Sequence, residues 1–267
     1  MRVSILGCGW LGLPLAKSLI AQGNTVKGST TTESKLPILR DAGIEPFLIS
    51  LSAEEISGDT KGFLENVDIL IVDIPPKLRG DATESFVDKI KILIPYIEQA
   101  GVRRVLFVSS TSVYADDNSV VTENTLPMPE TEGGRQLLES ELLLQGNTNF
   151  DTTVLRFGGL IGEDRHPVRY LAGRDNLENP DGPVNLIHRE DCIGIIQKII
   201  EKDSWGGTFN AAAPHHPTRE EYYTKKANEM RLEPPKFNRD VPSVGKTIES
   251  NKIITDLQYD FIKSSLL

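Results

Sequence analysis

Three glycines in the spacing Gly7-x-Gly9-x-x-Gly12, with Trp10 and Leu11 between the second and third, separate a short apolar run from an amphipathic one. That arrangement is suited to phosphate. The first glycine permits a tight turn, the second lets backbone approach a pyrophosphate, and the third lets the following helix pack on the strand. A helix starting there aims free N–H groups and a partial positive charge at the phosphates. The turn therefore predicts a dinucleotide site made by Gly7, Gly9, Trp10, Leu11 and Gly12. Pro14 falls in the first helical turn, where its missing N–H costs little. Cys8 reads as a small side chain in a crowded turn, and a thiol beside a helix N-terminus is expected to have a lowered pKa.

The choice between NAD and NADP is made near the end of the next strand, where NAD sites usually carry an acid for the ribose 2′-hydroxyl. Here the chain reads Val26-Lys27-Gly28-Ser29-Thr30-Thr31-Thr32-Glu33. Small hydroxyl residues take the acid's place, and Thr30-x-x-Glu33 has the spacing of a helix capping box. Ser29, Thr30 and Thr31 can donate hydrogen bonds to a 2′-phosphate and Lys35 can supply charge. NADP is the expected cofactor, with NAD as the alternative. Further on, Asp73-Ile74-Pro75-Pro76 follows an apolar strand; its prolines stiffen the loop, and Pro75 is expected at the cofactor edge.

The elements that must hold these residues alternate. Val3–Leu6, Thr25–Lys27, Pro46–Ile49, Ile69–Asp73, Arg104–Ser109 and Asp151–Arg156 read as strands, several of them continuous apolar runs of the kind covered on both faces. Helices are expected near Leu11–Gln22, Ser34–Ala42, Thr83–Gln99 and Gly133–Gln145. This βαβ succession predicts an α/β fold, a Rossmann-type doubly wound parallel sheet with right-handed crossovers. After residue 157 the texture changes to Gly, Pro, Arg and Asp. A short helix at Val168–Leu171, strands at Val184–Ile187 and Thr208–Asn210, and helices at Glu190–Glu201, Thr218–Met230 and Asn251–Leu257 follow. The expected division is a dinucleotide-binding domain over 1–157 and a small C-terminal substrate lobe over 158–267, interleaved with late sheet elements near 184–210.

The chain has 267 residues, 39% of them hydrophobic, and a formal net charge of −9. An acidic balance argues against nucleic acid, whose binding depends on Lys and Arg neutralising phosphates. No apolar run approaches the roughly 20 residues of a membrane span, and the first residues lack the pattern of a secretory leader. Cys8 and Cys192 are far apart and form no CxxC pair. A cytoplasmic protein acting on a small molecule is the expectation. His166, His188, His215 and His216 show no metal-ligand spacing, so no metal is expected. His188, before Arg189-Glu190-Asp191, reads as structural. Arg165-His166-Pro167 is either a cationic cluster for an anionic substrate or a plain loop.

The segment Val108-Ser109-Ser110-Thr111-Ser112-Val113-Tyr114 resembles the Ser-Ser-x-x-Val-Tyr segment of the extended short-chain dehydrogenases/reductases, the epimerase/dehydratase branch. Val154-Leu155-Arg156-Phe157 with Leu160-Ile161-Gly162, the run Asn185–Asp191, and Asn251-Lys252-Ile253 with Asp256–Tyr259 extend the likeness along nearly the whole chain. Gly-Trp-Leu-Gly, Gly134-Arg135 and Arg165-His166-Pro167 are similar to its atypical, YeeZ-like group. The resemblance implies an NAD(P)-dependent oxidoreductase or epimerase-like activity, with Ser110 orienting substrate and Ser112 and Tyr114 as further catalytic candidates. It also implies, by analogy, a homodimer through the helices near 83–99 and 133–145. The family's proton donor is a Tyr with a Lys four residues on. Registering Gly134-Arg135 on that pattern puts Gly133 and Leu137 in their places, and neither moves a proton. General acid–base help is typically worth about 10²–10⁴-fold in rate. The alternative reading is therefore a non-catalytic NADP(H)-binding sensor or regulatory protein.

Overall fold

The computed structural model describes residues 1–76 and 84–267. Its centre is a seven-stranded sheet of β1 (Arg2–Leu6), β2 (Thr25–Thr30), β3 (Glu45–Leu48), β4 (Ile69–Val72), β5 (Arg104–Ser110), β6 (Asp151–Phe157) and β7 (Thr208–Ala211). The spatial order is β7-β6-β5-β4-β1-β2-β3. The registers of β1 with β2 and β4, of β2 with β3, and of β4 with β5 are all parallel. The order reverses between β1 and β4. Open α/β sheets bind ligands at such a switch point, outside the carboxyl ends of the strands, and the glycine turn follows β1 there.

The helices that cover this sheet are α1 (Gly12–Ala21), α2 (Leu36–Asp41), α3 (Thr60–Leu64), α4 (Phe86–Ala100) and α5 (Glu132–Gln145). The longer of them form because their apolar residues return every three or four positions. In α4, Phe86, Ile90, Leu93 and Ile97 are buried, and Phe86 stacks on Phe107 of β5 with ring centroids 6.3 Å apart. Burying such a side chain is worth about 1.5–3 kcal/mol. Ser85 caps α4 by accepting from the Asp88 N–H, and Gly101, at φ +68°, ends it in the left-handed conformation. The helix expected from Thr83 begins at Phe86, and Thr83 itself lies outside the described residues. The capping box expected at Thr30-x-x-Glu33 does not form. Thr30 Oγ1 accepts from the Thr32 N–H, and a 3-10 turn over Glu33–Lys35 leads into α2. The helix α3 has no counterpart in the sequence reading; five residues are too few to show a period, and Asp59 caps it through the Gly62 N–H.

The chain divides into two compact units. The first comprises residues 1–113, 129–156 and 196–208, and the second residues 114–128, 157–195 and 209–267. The second has its own core of Ile161, Val168, Val184, Leu186, Tyr222 and their neighbours. Within it, Asp191 accepts from the Tyr259 hydroxyl at 2.9 Å and from the Ile262 and Lys263 N–H groups at 2.7 and 3.0 Å, which pins the C-terminal segment. Among the described residues no helix is long and apolar enough to cross a membrane.

One polar knot sits inside the first unit. Glu141 of α5 is fully buried and accepts from Ser109 Oγ of β5 at 2.5 Å. Arg156 of β6 grips the same carboxylate through Nε at 3.1 Å and through Nη2 at 2.6 Å. Removing one partner of such a pair leaves an uncompensated charge and typically costs about 3–5 kcal/mol. Glu141→Ala is expected to lose stability of that order in denaturant titration, and Glu141→Leu combined with Arg156→Met is expected to lose less than either single change.

Candidate dinucleotide site

The turn after β1 is folded by what its glycines lack. Gly7 has φ +107°, and a Cβ there would overlap the carbonyl oxygen of Asp73 at the end of β4. A Cβ on Gly12 would overlap the Gly7 carbonyl oxygen and stand 3.2 Å from Asp73 Oδ2. A Cβ on Gly9 would meet nothing within 4 Å. The first and third glycines are therefore required by packing, while the second lies exposed beside open space. That is the division of labour expected where a pyrophosphate approaches backbone at the second position. No side chain caps α1, and its first turn carries no acidic residue. Its leading N–H groups and positive dipole end suit an anion.

The end of β2 forms the floor of this turn. Ser29 is 2% exposed. Its Oγ accepts from the Gly7 N–H at 2.9 Å and its carbonyl from the Cys8 N–H at 2.8 Å. Thr30 is also buried. The Ser29 hydroxyl thus serves the glycine turn and that of Thr30 the Thr32 N–H, whereas Thr31 and Lys35 are exposed just beyond the strand. Gly28 leaves room for the Cys8 sulfur, which a Cβ there would approach to 2.5 Å. Cys8 is buried, and burial, with Asp73 nearby, pushes its thiol up to about 12 rather than down. Cys8 is thus a small side chain packed in a crowded turn, and enclosure outweighs any lowering of its pKa by the helix dipole. Trp10 is half-buried, Leu11 is buried in the turn, and Pro75 is exposed after β4.

At the end of β5, Ser110 and Ser112 are half-buried. Ser110 Oγ accepts from the Ser112 N–H at 3.1 Å, so its own O–H remains available to donate. Thr131 caps α5 through the Gly134 N–H at 3.1 Å. A Cβ on Gly134 would overlap the Ser112 carbonyl oxygen, so glycine lets α5 press against the serine loop. One residue earlier, a Cβ on Gly133 would meet nothing within 4 Å, and Leu137 is 5% exposed. The position of a proton-donating Tyr is open, and that of its Lys partner holds an apolar side chain in the core.

Tyr114 is 2% exposed, and its hydroxyl lies 3.0 Å from Asn210 Oδ1 and 3.3 Å from the Thr122 carbonyl, all within the second unit. His166 is buried, with Nε2 2.8 Å from the Tyr222 hydroxyl and Nδ1 accepting from the Val168 N–H. Burial, with Lys226 and Arg169 adding to it, pushes its pKa down to about 4. It is neutral at pH 7 and organises the start of the helix over Val168–Leu171, so the expected cationic cluster loses its histidine. Glu163, His188 and Glu190 bring three ligand atoms within 4.8 Å of one another. However, Glu163 faces Nε2 of the imidazole and Glu190 faces Nδ1, at 3.5 and 3.8 Å, and Arg189 and Lys263 already pair with the two carboxylates. That geometry is an ion-pair network.

Asp73 is the residue that sequence reasoning undervalued. Half-buried, its carboxyl lies against the glycine turn at Gly12, where loss of solvation raises its pKa from 3.8 to about 8, against a hydrogen bond from the Gly12 N–H.

A parallel sheet that switches direction at a glycine turn, with a serine loop at the end of the fifth strand, defines a dinucleotide-binding fold of Rossmann type. The family model for NAD(P)H-binding proteins matches residues 7–202, and the chain belongs to that family. It is 36% identical over 262 residues to Protein YeeZ of Escherichia coli (strain K12), covering 97% of this chain and 95% of that one. Among solved structures, a functionally unknown conserved protein from Silicibacter pomeroyi DSS superposes with TM-score 0.81 at 22% identity, covering 99% of this chain and 95% of that one. A short-chain dehydrogenase/reductase superfamily protein from Agrobacterium tumefaciens with bound NAD gives 0.80 at 19% identity, covering 98% and 92%. UDP-N-acetylglucosamine 4-epimerase from Bacillus cereus gives 0.78 at 18%, covering 98% and 91%. The last two likenesses, like the first, speak for the fold.

Two outcomes are expected. Gly9→Val should leave the melting temperature unchanged while weakening NADPH binding by about tenfold or more, the equivalent of about 1.4 kcal/mol. Fluorescence titration beside thermal melts checks both halves. Asp73, whose folded pKa lies above its unfolded one, contributes stability that is present below about pH 4 and is lost as pH rises through about 8. Denaturation series at pH 5 and pH 9 should show that loss, and Asp73→Asn should remove it.

Proposed function

We propose that this protein is an NADP(H)-dependent enzyme of oxidoreductase or epimerase-like type, acting on a small polar substrate whose reacting oxygen is held by Ser110. The observation that carries this reading is the Ser110 hydroxyl at the carboxyl end of β5, whose Oγ accepts from the Ser112 N–H and which, among the described residues, has no acceptor of its own. The glycine turn and the start of α1 would hold the pyrophosphate of a nicotinamide dinucleotide, which would supply or accept hydride there. Ser110 donates to the substrate oxygen, steadying the charge that develops there. Gly134 keeps α5 pressed on Ser112 and so fixes the loop. The open space at Gly133 leaves room for a substrate group where a Tyr would otherwise stand.

The preference for NADP(H) rests on the exposed Thr31 and Lys35 and on the absence of an acid at the end of β2. Lys35→Glu is expected to lower NADPH affinity relative to NADH by about tenfold, or about 1.4 kcal/mol.

A second reading, a non-catalytic NADP(H) sensor, is favoured by Gly133 and the buried Leu137. The two readings separate in one panel of aldehydes, ketones and nucleotide sugars. The enzyme reading expects turnover with at least one class, reduced by about 10²–10³-fold in Ser110→Ala, with NADPH affinity unchanged. Saturable NADPH binding without turnover across the panel contradicts it and favours the sensor.

A further inference from the structure

The phosphate-binding pattern of the turn does not require an acid at Asp73, yet one lies half-buried against it. Its carbonyl oxygen lies where a Cβ on Gly7 would stand, and its Oδ2 is 3.2 Å from the place of a Cβ on Gly12. Its carboxyl receives the Gly12 N–H. It therefore occupies the underside of the same short run of backbone donors whose outer side suits a pyrophosphate. A carboxylate there adds negative charge at the point where a ligand brings more.

Among the described residues, the neighbours do not offset that charge. From the turn, Cys8 faces it and remains a neutral thiol up to about pH 12. From β1 comes Leu6, whose carbonyl accepts the Asp73 N–H at 2.9 Å, and from β2 the Ser29 hydroxyl, already bonded to Gly7. From α1 comes the Gly12 backbone. Among the described residues, no Lys, Arg or His contributes to the state of this carboxyl.

We propose that Asp73 is a proton-linked positioning residue for the dinucleotide: the protein holds the cofactor with Asp73 in its acid form, and ionisation of Asp73 loosens the grip of the glycine turn on the pyrophosphate. The proposal rests on the dinucleotide reading of the turn. The proton comes from solvent when ionised protein binds cofactor and returns to solvent on release. Loss of solvation places the relevant titration near pH 8, within reach of ordinary buffers. As the acid, Asp73 still accepts from Gly12 and no longer opposes the phosphates.

The test is binding of NADH and NADPH to the full chain and to Asp73→Asn between pH 6 and about pH 9.5, with calorimetry in buffers of different ionisation heat. NADH isolates the carboxyl, because the 2′-phosphate of NADPH titrates near pH 6, as phosphate monoesters do. The wild-type Kd for NADH should be level below about pH 7 and rise about tenfold per pH unit above about pH 8. Calorimetry near pH 8 should register proton uptake on binding. Asp73→Asn should show a level profile and no uptake. A level wild-type profile without uptake overturns the proposal, as does a slope retained in Asp73→Asn. If that variant does not fold, the wild-type calorimetry decides alone. Absence of saturable binding at every pH overturns the dinucleotide reading, and the proposal with it.

Discussion

At Gly7 the chain turns back with φ +107° and passes so close to the end of β4 that no side chain fits between them. This contact fixes where β1 ends, at what angle α1 leaves, and which N–H groups face outward. The same approach places Gly12 against Gly7 and sets the Asp73 carboxyl beside Gly12. The Ser29 hydroxyl, buried at the end of β2, ties Gly7 down from the other side. The binding edge of the sheet is thus a consequence of close backbone packing at one switch point.

The second fixed point is the buried Glu141–Arg156 pair with Ser109. It joins α5 to β5 and β6 within the first unit. Leu137 lies one turn before Glu141 on α5 and points into the core. In the extended short-chain pattern, the corresponding helix carries proton-transfer residues at the positions of Gly133 and Leu137. Here the helix is anchored by an ion pair and an apolar contact, and the polar groups nearest the end of β5 are serine hydroxyls.

Much of this was legible in the residues themselves. The glycine spacing encodes local sterics, and apolar runs of four to seven residues encode strands covered on both faces, so the turn and the main strands of the sheet follow directly. Other features depend on contacts that span the sequence. Glu141 on a helix reads as a solvated charge until Arg156, fifteen residues away, is brought against it. Ser29 reads as a ligand donor until the turn folds over it. Asp73 reads as a strand-end acid until the glycine turn is folded against it, and the pKa of Cys8 is settled by burial that only the fold supplies. The short α3 leaves no periodic trace. Function was legible to the level of cofactor and fold, because those rest on local pattern; the substrate depends on the shape of side chains gathered from distant segments.

The central claim is that the turn at Gly7–Gly12 holds a dinucleotide pyrophosphate while the positions of the usual proton pair contribute nothing to the reacting end. A crystal structure with NADPH bound tests this most directly. The account predicts the pyrophosphate against the N–H groups at the start of α1, and the Ser110 hydroxyl within hydrogen-bonding reach of a substrate position beside the nicotinamide, about 3 Å. A dinucleotide bound away from the glycine turn, or a nicotinamide held against α5 at Gly133 and Leu137, would contradict it.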